Sequence, residues 1–488
     1  MSDPTQPCDL TAGEARRLIG LKRLSPKELL KSCLDRIGAV NPAVNAVVAM
    51  DETAAYREAE IAEEAVALGE GLGLLHGLPL GIKDLQTTGG LTTTYGSLIY
   101  KDNVPDQDED SVANLRDHGG IVLAKTNTPE FGAGANTRNR VYGATGNPFD
   151  PVKTCGGSSG GSAVALATNM MPLATGSDYG GSLRTPAAFC GIVGYRPSPG
   201  LVPGAERVVA TTPFSVHGPM ARTVGDLHLL LRAQLDFDKR DPFSSDDAFA
   251  VPEANVLPDL RSLRVAISPD LGTAPVDAGI CKTFLERMET FSDVFGAADE
   301  TAPDFAGVHD VFETLRGINF VAAHHDRLVE HRDLLGPNVI DNTERGLKYT
   351  AADVAKAMRE QTGIYHRFIS FFDTYDILIA PAAAVSPFPF SELAVTEING
   401  ETMPTYMRWL ALTYAPTTAL ACAAVLPCGV DQHGLPFGIQ IIGPNGADAQ
   451  ILAVAEAIEQ VLQSQETTRR PLPDLEALKA APALPTTG

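Results

Sequence analysis

Short apolar runs alternate with helix-length segments along this chain, and few architectures can bury both kinds of element. HGLPLGIKDLQ (76–86) and IVLAKTN (121–127) each set a few apolar residues between turn residues, the pattern of a strand buried in a sheet. Between them, SVANLRDHGG (111–120) reads as a helix that ends at glycine. LRVAIS (263–268), YDILIAPA (375–382), CAAVLPCG (422–429) and LPFGIQIIG (435–443) supply further strands, and DAQILAVAEAIEQVL (448–462) a closing amphipathic helix. Residues 9–38 read as one or two helices, with Ser25-Pro26-Lys27-Glu28 as a capping box, and 51–68 as another helix. Helices are predicted to fill much of 276–371. The stretch 383–406 is Pro-rich and irregular, and 236–260, rich in Asp, Pro and Ser, is predicted to form a surface excursion. This alternation predicts an α/β fold with a buried sheet. No repeat and no linker divides the chain, so a single large domain over 1–488 is expected.

Composition excludes several function classes. The 488 residues carry 60 acidic against 38 basic side chains, a formal net charge of −22. Nucleic acids and anionic membranes select clustered Lys and Arg, so neither is an expected partner. Hydrophobic residues make up 44% and charged ones 20%, which supports a large core and argues against a disordered chain. The seven cysteines, at 8, 33, 155, 190, 281, 422 and 428, form no CxxC pair and no zinc-ligand spacing. They read as reduced thiols. The N-terminus is polar, without the apolar segment of a secretory signal, and no apolar run reaches the ~18 residues of a membrane span. A cytoplasmic protein is expected.

Chemistry concentrates between Gly156 and Pro197, where Ser158 and Ser182 sit in glycine-rich turns. A serine flanked by glycines brings its hydroxyl to a carbonyl unobstructed, and the bare turn exposes N–H groups that hold developing negative charge. Gly156-Gly157-Ser158-Ser159-Gly160 fits the G-x-S-x-G elbow of α/β-hydrolases, but the preceding NPFDPVKTC makes a poor central strand. A phosphate loop fails because no Gly-Lys-Ser/Thr follows. A purely structural glycine turn remains the alternative for either turn alone. Lysine shifts the balance. In GLPLGIKDL (77–85), alternation places Lys83 on the face opposite Leu78, Leu80 and Ile82. Burial disfavours an unpaired ammonium, and a pKa drop from about 10.4 to near 7, worth about 4 kcal/mol, makes it neutral. A neutral lysine can take a proton from serine in place of histidine. Asp84 points to the other face and need not hold Lys83 charged.

Together these blocks resemble the amidase signature family. The match runs through GLPLGIKD, AKTNTPEF, GGSSGGSAVA, GSDYGGSLRTPAAFCGIVGYRPS and GPMARTVGD, densely over about 70–230, then through GLPFGIQIIG near the C-terminus. The resemblance implies a mixed, twisted β-sheet covered on both faces by helices. It places the signature core at about 70–230 and variable pocket and surface regions at about 236–260 and 310–410. It also implies a Ser-Ser-Lys triad. Ser182 aligns with the nucleophile, Ser158 with a bridging serine whose peptide bond to Gly157 is expected to be cis, and Lys83 with the base. Lys83 then takes a proton from Ser158, Ser158 takes one from Ser182, and Ser182 attacks a carbonyl to form an acyl-enzyme. The backbone N–H groups of Tyr179, Gly180, Gly181 and Ser182 are the implied oxyanion hole, with Asp178 and Arg184 as structural support. No cofactor or metal is required, so activity is expected to withstand EDTA.

Other motif residues take plainer readings. Ser159 reads as the cap of the following helix, Thr126 and Asn127 as turn supports, and Cys155 and Cys190 as small buried fillers. His324 and His325 point about 100° apart on a helix with no carboxylate pattern around them, so core or surface roles are expected rather than a metal. Phe388, Phe390, Met403, Tyr406 and Trp409 either line an apolar substrate entry or pack under a loop. Departures from the family pattern bear on substrate. Tyr179 stands where many relatives carry a smaller residue, and GYRP replaces the commoner GLKP. Thr185 stands where glutaminyl-tRNA-type amidotransferase subunits usually carry glutamine. APTTALACAAVLP lacks the asparagine-containing block common in relatives.

The leading expectation is a stand-alone amidohydrolase cleaving the C–N bond of a small or medium, largely apolar amide. Esters and carbamates (urethanes) extend the same chemistry. One alternative is a glutamine-hydrolysing amidotransferase A-type subunit with partner subunits, against which Thr185 argues. The other is an inactive binding protein, against which the retention of Lys83, Ser158 and Ser182 argues. The closing amphipathic helix leaves room for a homodimer.

Overall fold

A computed structural model describes residues 6–245 and 251–486; residues 246–250 of the expected 236–260 excursion lie outside the described residues. The apolar runs become strands: β1 (Val47–Met50), β2 (Pro79–Lys83), β3 (Ile121–Thr126), β4 (Leu173–Asp178), β5 (Val193–Arg196) and β6 (Val216–Ala221). Past the signature core come β7 (Arg264–Ile267), β8 (Ala297–Glu300), β9 (Ile377–Pro381), β10 (Cys422–Val430) and β11 (Pro436–Gly443). All eleven join one sheet in the order β1-β3-β2-β4-β6-β5-β10-β11-β9-β7-β8. Pairing is mixed: β2 runs parallel to β3 and β4, whereas β6 is antiparallel to β4 and β5. One continuous sheet therefore ties both halves of the chain into a single α/β domain.

Helices cover both faces. A Cβ on Gly438 would meet Ala188 of the Arg184–Cys190 helix at 3.0 Å, and one on Gly443 would meet Ile451 of the Asp448–Gln463 helix at 2.5 Å. These glycines are an odd number of residues apart on β11, so the two helices lie on opposite faces. Every residue of β2 and β3 is buried. That is why these strands read as nearly continuous apolar runs rather than as alternation.

Local signals held with two boundary corrections. Ser25 starts the Pro26–Val44 helix as predicted: its N–H donates to Glu28 Oε2 at 2.9 Å, and Lys27 N–H donates to Ser25 Oγ at 3.1 Å. The helix runs beyond residue 38, because Val40, Ala43 and Val44 continue its buried face to a left-handed Asn45. Strand β8 lies inside the region expected to be helical. It is an edge strand paired only with β7, and all four of its residues are exposed, so it carries no apolar signature. The 383–406 stretch is irregular apart from a two-residue hairpin pairing of Glu397–Ile398 with Glu401–Thr402. All seven cysteines are free. Among the described residues, no helix is long and apolar enough to cross a membrane.

Candidate active site

Lys83 closes β2 and is fully buried. Its Nζ lies within hydrogen-bond distance of three hydroxyls, Ser158 Oγ at 2.7 Å, Ser159 Oγ at 2.9 Å and Ser177 Oγ at 3.0 Å. These are neutral hydroxyls, and among the described residues no carboxylate lies within ion-pair distance. Burial therefore pushes the Lys83 amine down to about 7, against the weaker opposing pull of the Asp178 charge. Asp84 does turn away: its carboxylate accepts from Thr94 N–H at 3.1 Å and lies near Lys125. A neutral amine this close to a hydroxyl can accept its proton.

The Ser158 turn reaches Lys83 from the loop before the Gly160–Ala167 helix, and Ser177 reaches it from the end of β4; the Ser182 turn follows β4 and makes no direct bond to Lys83. The Gly157–Ser158 peptide bond is cis. Gly161 lets the helix start approach β3, since a Cβ there would fall 2.2 Å from Asn127 N. Ser159 corrects the sequence reading. It occupies the N-cap position, but its side chain makes no capping bond and instead accepts from Lys83 Nζ and from Ser177 N–H at 3.3 Å. Ser177 was not singled out from the sequence; a polar residue inside a buried strand was the available signal. Thr126 and Asn127 act as turn supports, Thr126 Oγ1 bonding Ser162 Oγ at 2.7 Å and Asn127 Nδ2 donating to Thr145 Oγ1 at 2.9 Å. Cys155 and Cys190 are buried filler.

Ser182 is half-buried, and Ser159 N–H donates to its carbonyl at 3.1 Å, which draws the two turns together. Its Oγ has no hydrogen-bond partner among the described residues. Bonds of this kind often tighten only once substrate is in place. The N–H groups of Tyr179, Gly180 and Ser182 are likewise without partners among the described residues. Gly181 departs from the expectation: its N–H donates to Asp178 Oδ1 at 2.8 Å. The reason is conformational. Gly181 has φ +129°, which turns its N–H toward the carboxylate, and a Cβ there would lie 2.3 Å from Thr413 Oγ1.

Asp178 anchors this turn. Arg184 grips it in two places, Nε on Oδ2 and Nη2 on Oδ1, both at 3.0 Å, and Arg196 Nη1 reaches Oδ1 at 3.2 Å. Leu183 N–H adds a bond to Oδ2 at 3.1 Å. Burial alone would raise the Asp178 carboxyl, but the two guanidiniums hold it well below the usual carboxylate range. Arg196, read only as part of a substituted GYRP block, proves to be the third member of the cluster. Asp178→Asn is expected to cost about 3–5 kcal/mol of stability, because it leaves two buried guanidiniums without their anion. A urea midpoint equal to wild type would contradict this account.

A cavity of about 430 Å³ lies beside the site; Lys83, Ser158 and Ser182 do not themselves line it, and it meets the serine turns through Tyr179 and Phe131. Its wall includes Leu85, Tyr95, Tyr100, Phe131, Tyr179 and Phe320. Gly132, next to Phe131, packs against the relay: a Cβ there would lie 3.0 Å from Leu85 and 3.3 Å from Ser158 Oγ. None of Phe388, Phe390, Met403, Tyr406 or Trp409 lines it, so the packing alternative holds for them. Phe388 meets Trp409 edge-on at 5.7 Å, and Tyr406 OH accepts from Arg316 at 3.0 Å. From 310–410, the cavity wall draws on the Val308–Glu330 helix. His324 is buried between Phe131 and Phe320, with centroids at 4.7 and 5.3 Å, and His325 is exposed. Among the described residues no group of His, Cys, Asp and Glu is placed to hold a metal ion.

Comparison with known proteins bears on the family and the fold. The sequence model of the Amidase family matches residues 28–452. An acylamidase of Rhodococcus erythropolis is 32% identical over 454 residues, covering 93% of this chain and 95% of that protein. The A-type subunit of the glutamyl-tRNA(Gln) amidotransferase of Acidothermus cellulolyticus is 32% identical over 492 residues, covering 92% and 94%. The crystal structure of a bacterial aryl acylamidase of the amidase signature family superposes with a TM-score of 0.85 at 27% identity, covering 97% of this chain and 99% of that one.

Proposed function

Because the chain belongs to the amidase signature family, an enzyme family that hydrolyses C–N bonds, we propose that it cleaves small or medium aryl and other largely apolar amides through a Ser182 acyl-enzyme. The observation that carries this reading is a buried lysine, pushed down to about 7, with its Nζ 2.7 Å from Ser158 Oγ. Neutral Lys83 takes the Ser158 proton as Ser158 takes the Ser182 proton, and Ser182 Oγ attacks the amide carbon. The Tyr179, Gly180 and Ser182 N–H groups receive the oxyanion, and removing one such donor typically costs about 10²- to 10³-fold in rate. As the tetrahedral species collapses, the C–N bond breaks and the proton on Lys83 returns through Ser158 to the leaving amine. Water, deprotonated along the same relay, then attacks the acyl-enzyme; the acid departs and Ser182 is restored. Esters and carbamates fit the same sequence with a different leaving group.

Acylamidase and aryl acylamidase relatives support the amide reading, and the ring-lined cavity supports an aryl or apolar body. The amidotransferase reading is weaker despite equally similar relatives. Glutamine carries an α-ammonium, and no Asp or Glu lines the cavity to pair with it. The test is a panel of anilides, fatty amides and carbamates, with acid and amine release both quantified. Anilide turnover with one-to-one release is expected; turnover of glutamine alone, or of nothing, would overturn the proposal.

The pH profile follows from the base. Protonated Lys83 cannot accept a proton, so kcat/KM is expected to rise with pH along a limb centred near 7, the value to which burial pushes it. A profile flat from about pH 6 to 8.5 would mean that a neutral lysine is not the base.

A further inference from the structure

We infer that the cavity selects aryl amides bearing a carboxylate, and that Arg327 reads the negative charge; this deepens the amidase reading and rests on it. The chain is strongly acidic, with a net charge of −22, yet the charged side chains lining this cavity are Arg207 and Arg327, and no acid joins them. Arg207 is already neutralised by an ion pair with buried Asp241. Arg327 is not. It donates to Ala323 O, to Tyr100 OH at 3.1 Å and toward His324 Nδ1 at 3.5 Å, all neutral acceptors. Asp326 and Glu330 share an adjoining surface cavity with Arg327 but form no ion pair with it; their side chains are 93% and 68% exposed and lie against His325 and His331. A guanidinium has five N–H groups, so Nε–H and one Nη2–H of Arg327 remain without an acceptor among the described residues. That is a ready site for a carboxylate, whose two oxygens match a guanidinium fork.

Surroundings reinforce the sign. Arg316, on the same Val308–Glu330 helix, is only 5% exposed and also lacks a carboxylate partner among the described residues; it donates to Asn342 Oδ1 at 3.1 Å and to Tyr406 OH. Its guanidinium lies 5.2 Å from the Tyr179 ring and 4.5 Å from the Phe320 ring. Arg327 lies 5.2 Å from the Phe131 ring and 5.8 Å from the Tyr100 ring. Burial first, and then the charges of both arginines, push His324 between them down to about 3. The aromatic walls suit an aryl body by edge and face contacts, and the uncompensated positive charge at Arg327 suits an anionic substituent on it.

Nitro and carboxylate groups are nearly isosteric but differ in charge, which isolates the effect. Calorimetry on Ser182→Ala compares 4-acetamidobenzoate with 4-nitroacetanilide, and 4-carbamoylbenzoate with 4-nitrobenzamide, so that the ring is carried once on the amine and once on the acyl side. In at least one pair the carboxylate is expected to bind about 10- to 100-fold more tightly. Adding Arg327→Gln should collapse that ratio toward one, and Arg327→Lys should restore part of it. A ratio near one in both pairs, or a ratio that survives Arg327→Gln, overturns the inference. Wild-type turnover separates the two readings. Hydrolysis of the nitro compounds without a binding ratio sinks the charge inference alone, whereas a ratio that vanishes in Arg327→Gln, with no hydrolysis of any compound, sinks the amidase reading and leaves the charge site standing.

Discussion

Ser182→Ala is expected to lower kcat on an anilide by on the order of 10⁵- to 10⁶-fold, the scale lost when a relay of this type loses its nucleophile. Among the described residues, no other hydroxyl beside Lys83 is placed to substitute. Ser158 is 2% exposed and Ser159 fully buried, and both are held by Lys83 Nζ. Stability should hardly change, because Ser182 Oγ makes no hydrogen bond among the described residues. Intact-mass analysis after a fluorophosphonate probe checks the assignment independently: one adduct in wild type, none in the variant. An adduct that persists in Ser182→Ala would place the nucleophile elsewhere.

Lys83→Met is expected to separate activity from stability. Loss of the general base should cost about 10²- to 10⁴-fold in kcat/KM and abolish the limb near pH 7. Folding, in contrast, should hold or improve. The unfolded chain keeps this lysine protonated up to its ordinary value of 10.5, whereas the folded protein releases the proton near 7. The folded state therefore carries a penalty on the order of 5 kcal/mol, largest below about pH 7 and relieved as pH rises toward 10.5. Methionine removes that penalty but leaves the hydroxyls of Ser158, Ser159 and Ser177 one partner short, at about 1 kcal/mol each. Denaturant midpoints at pH 6 and pH 9 test the sign: wild type should gain stability relative to Lys83→Met at the higher pH. A wild-type advantage that is larger at pH 6 would refute the buried-neutral account.

Much of this molecule was legible because its determinants are local. The apolar runs that became β2, β3, β9, β10 and β11 carry their own turn boundaries, and Ser25 with Glu28 announces a helix start within four residues of chain. Lys83 could be placed in a buried strand from its own neighbours, and burial is the larger influence on its proton. Edge strand β8 stayed hidden for the same reason in reverse, since an exposed strand needs no apolar pattern.

Tertiary structure decided the partners. Ser177 and Ser159 meet Lys83 because β4 lies parallel beside β2 and the Gly160–Ala167 helix starts over the same strand ends; no periodicity within either segment encodes that meeting. Arg196 joins Asp178 from β5, and Gly181 aims its N–H at Asp178 rather than into the cavity, both consequences of how the turn is clamped. The cavity wall is likewise assembled from distant stretches, with Tyr95, Phe131, Tyr179 and Phe320 brought together only by packing. Sequence alone marked the apolar strands and Lys83 as buried, because burial there follows from a residue and its near neighbours. Which groups touch, and which charges are left uncompensated as at Arg327, depends on strand order and helix placement, and those are settled only when the whole sheet closes.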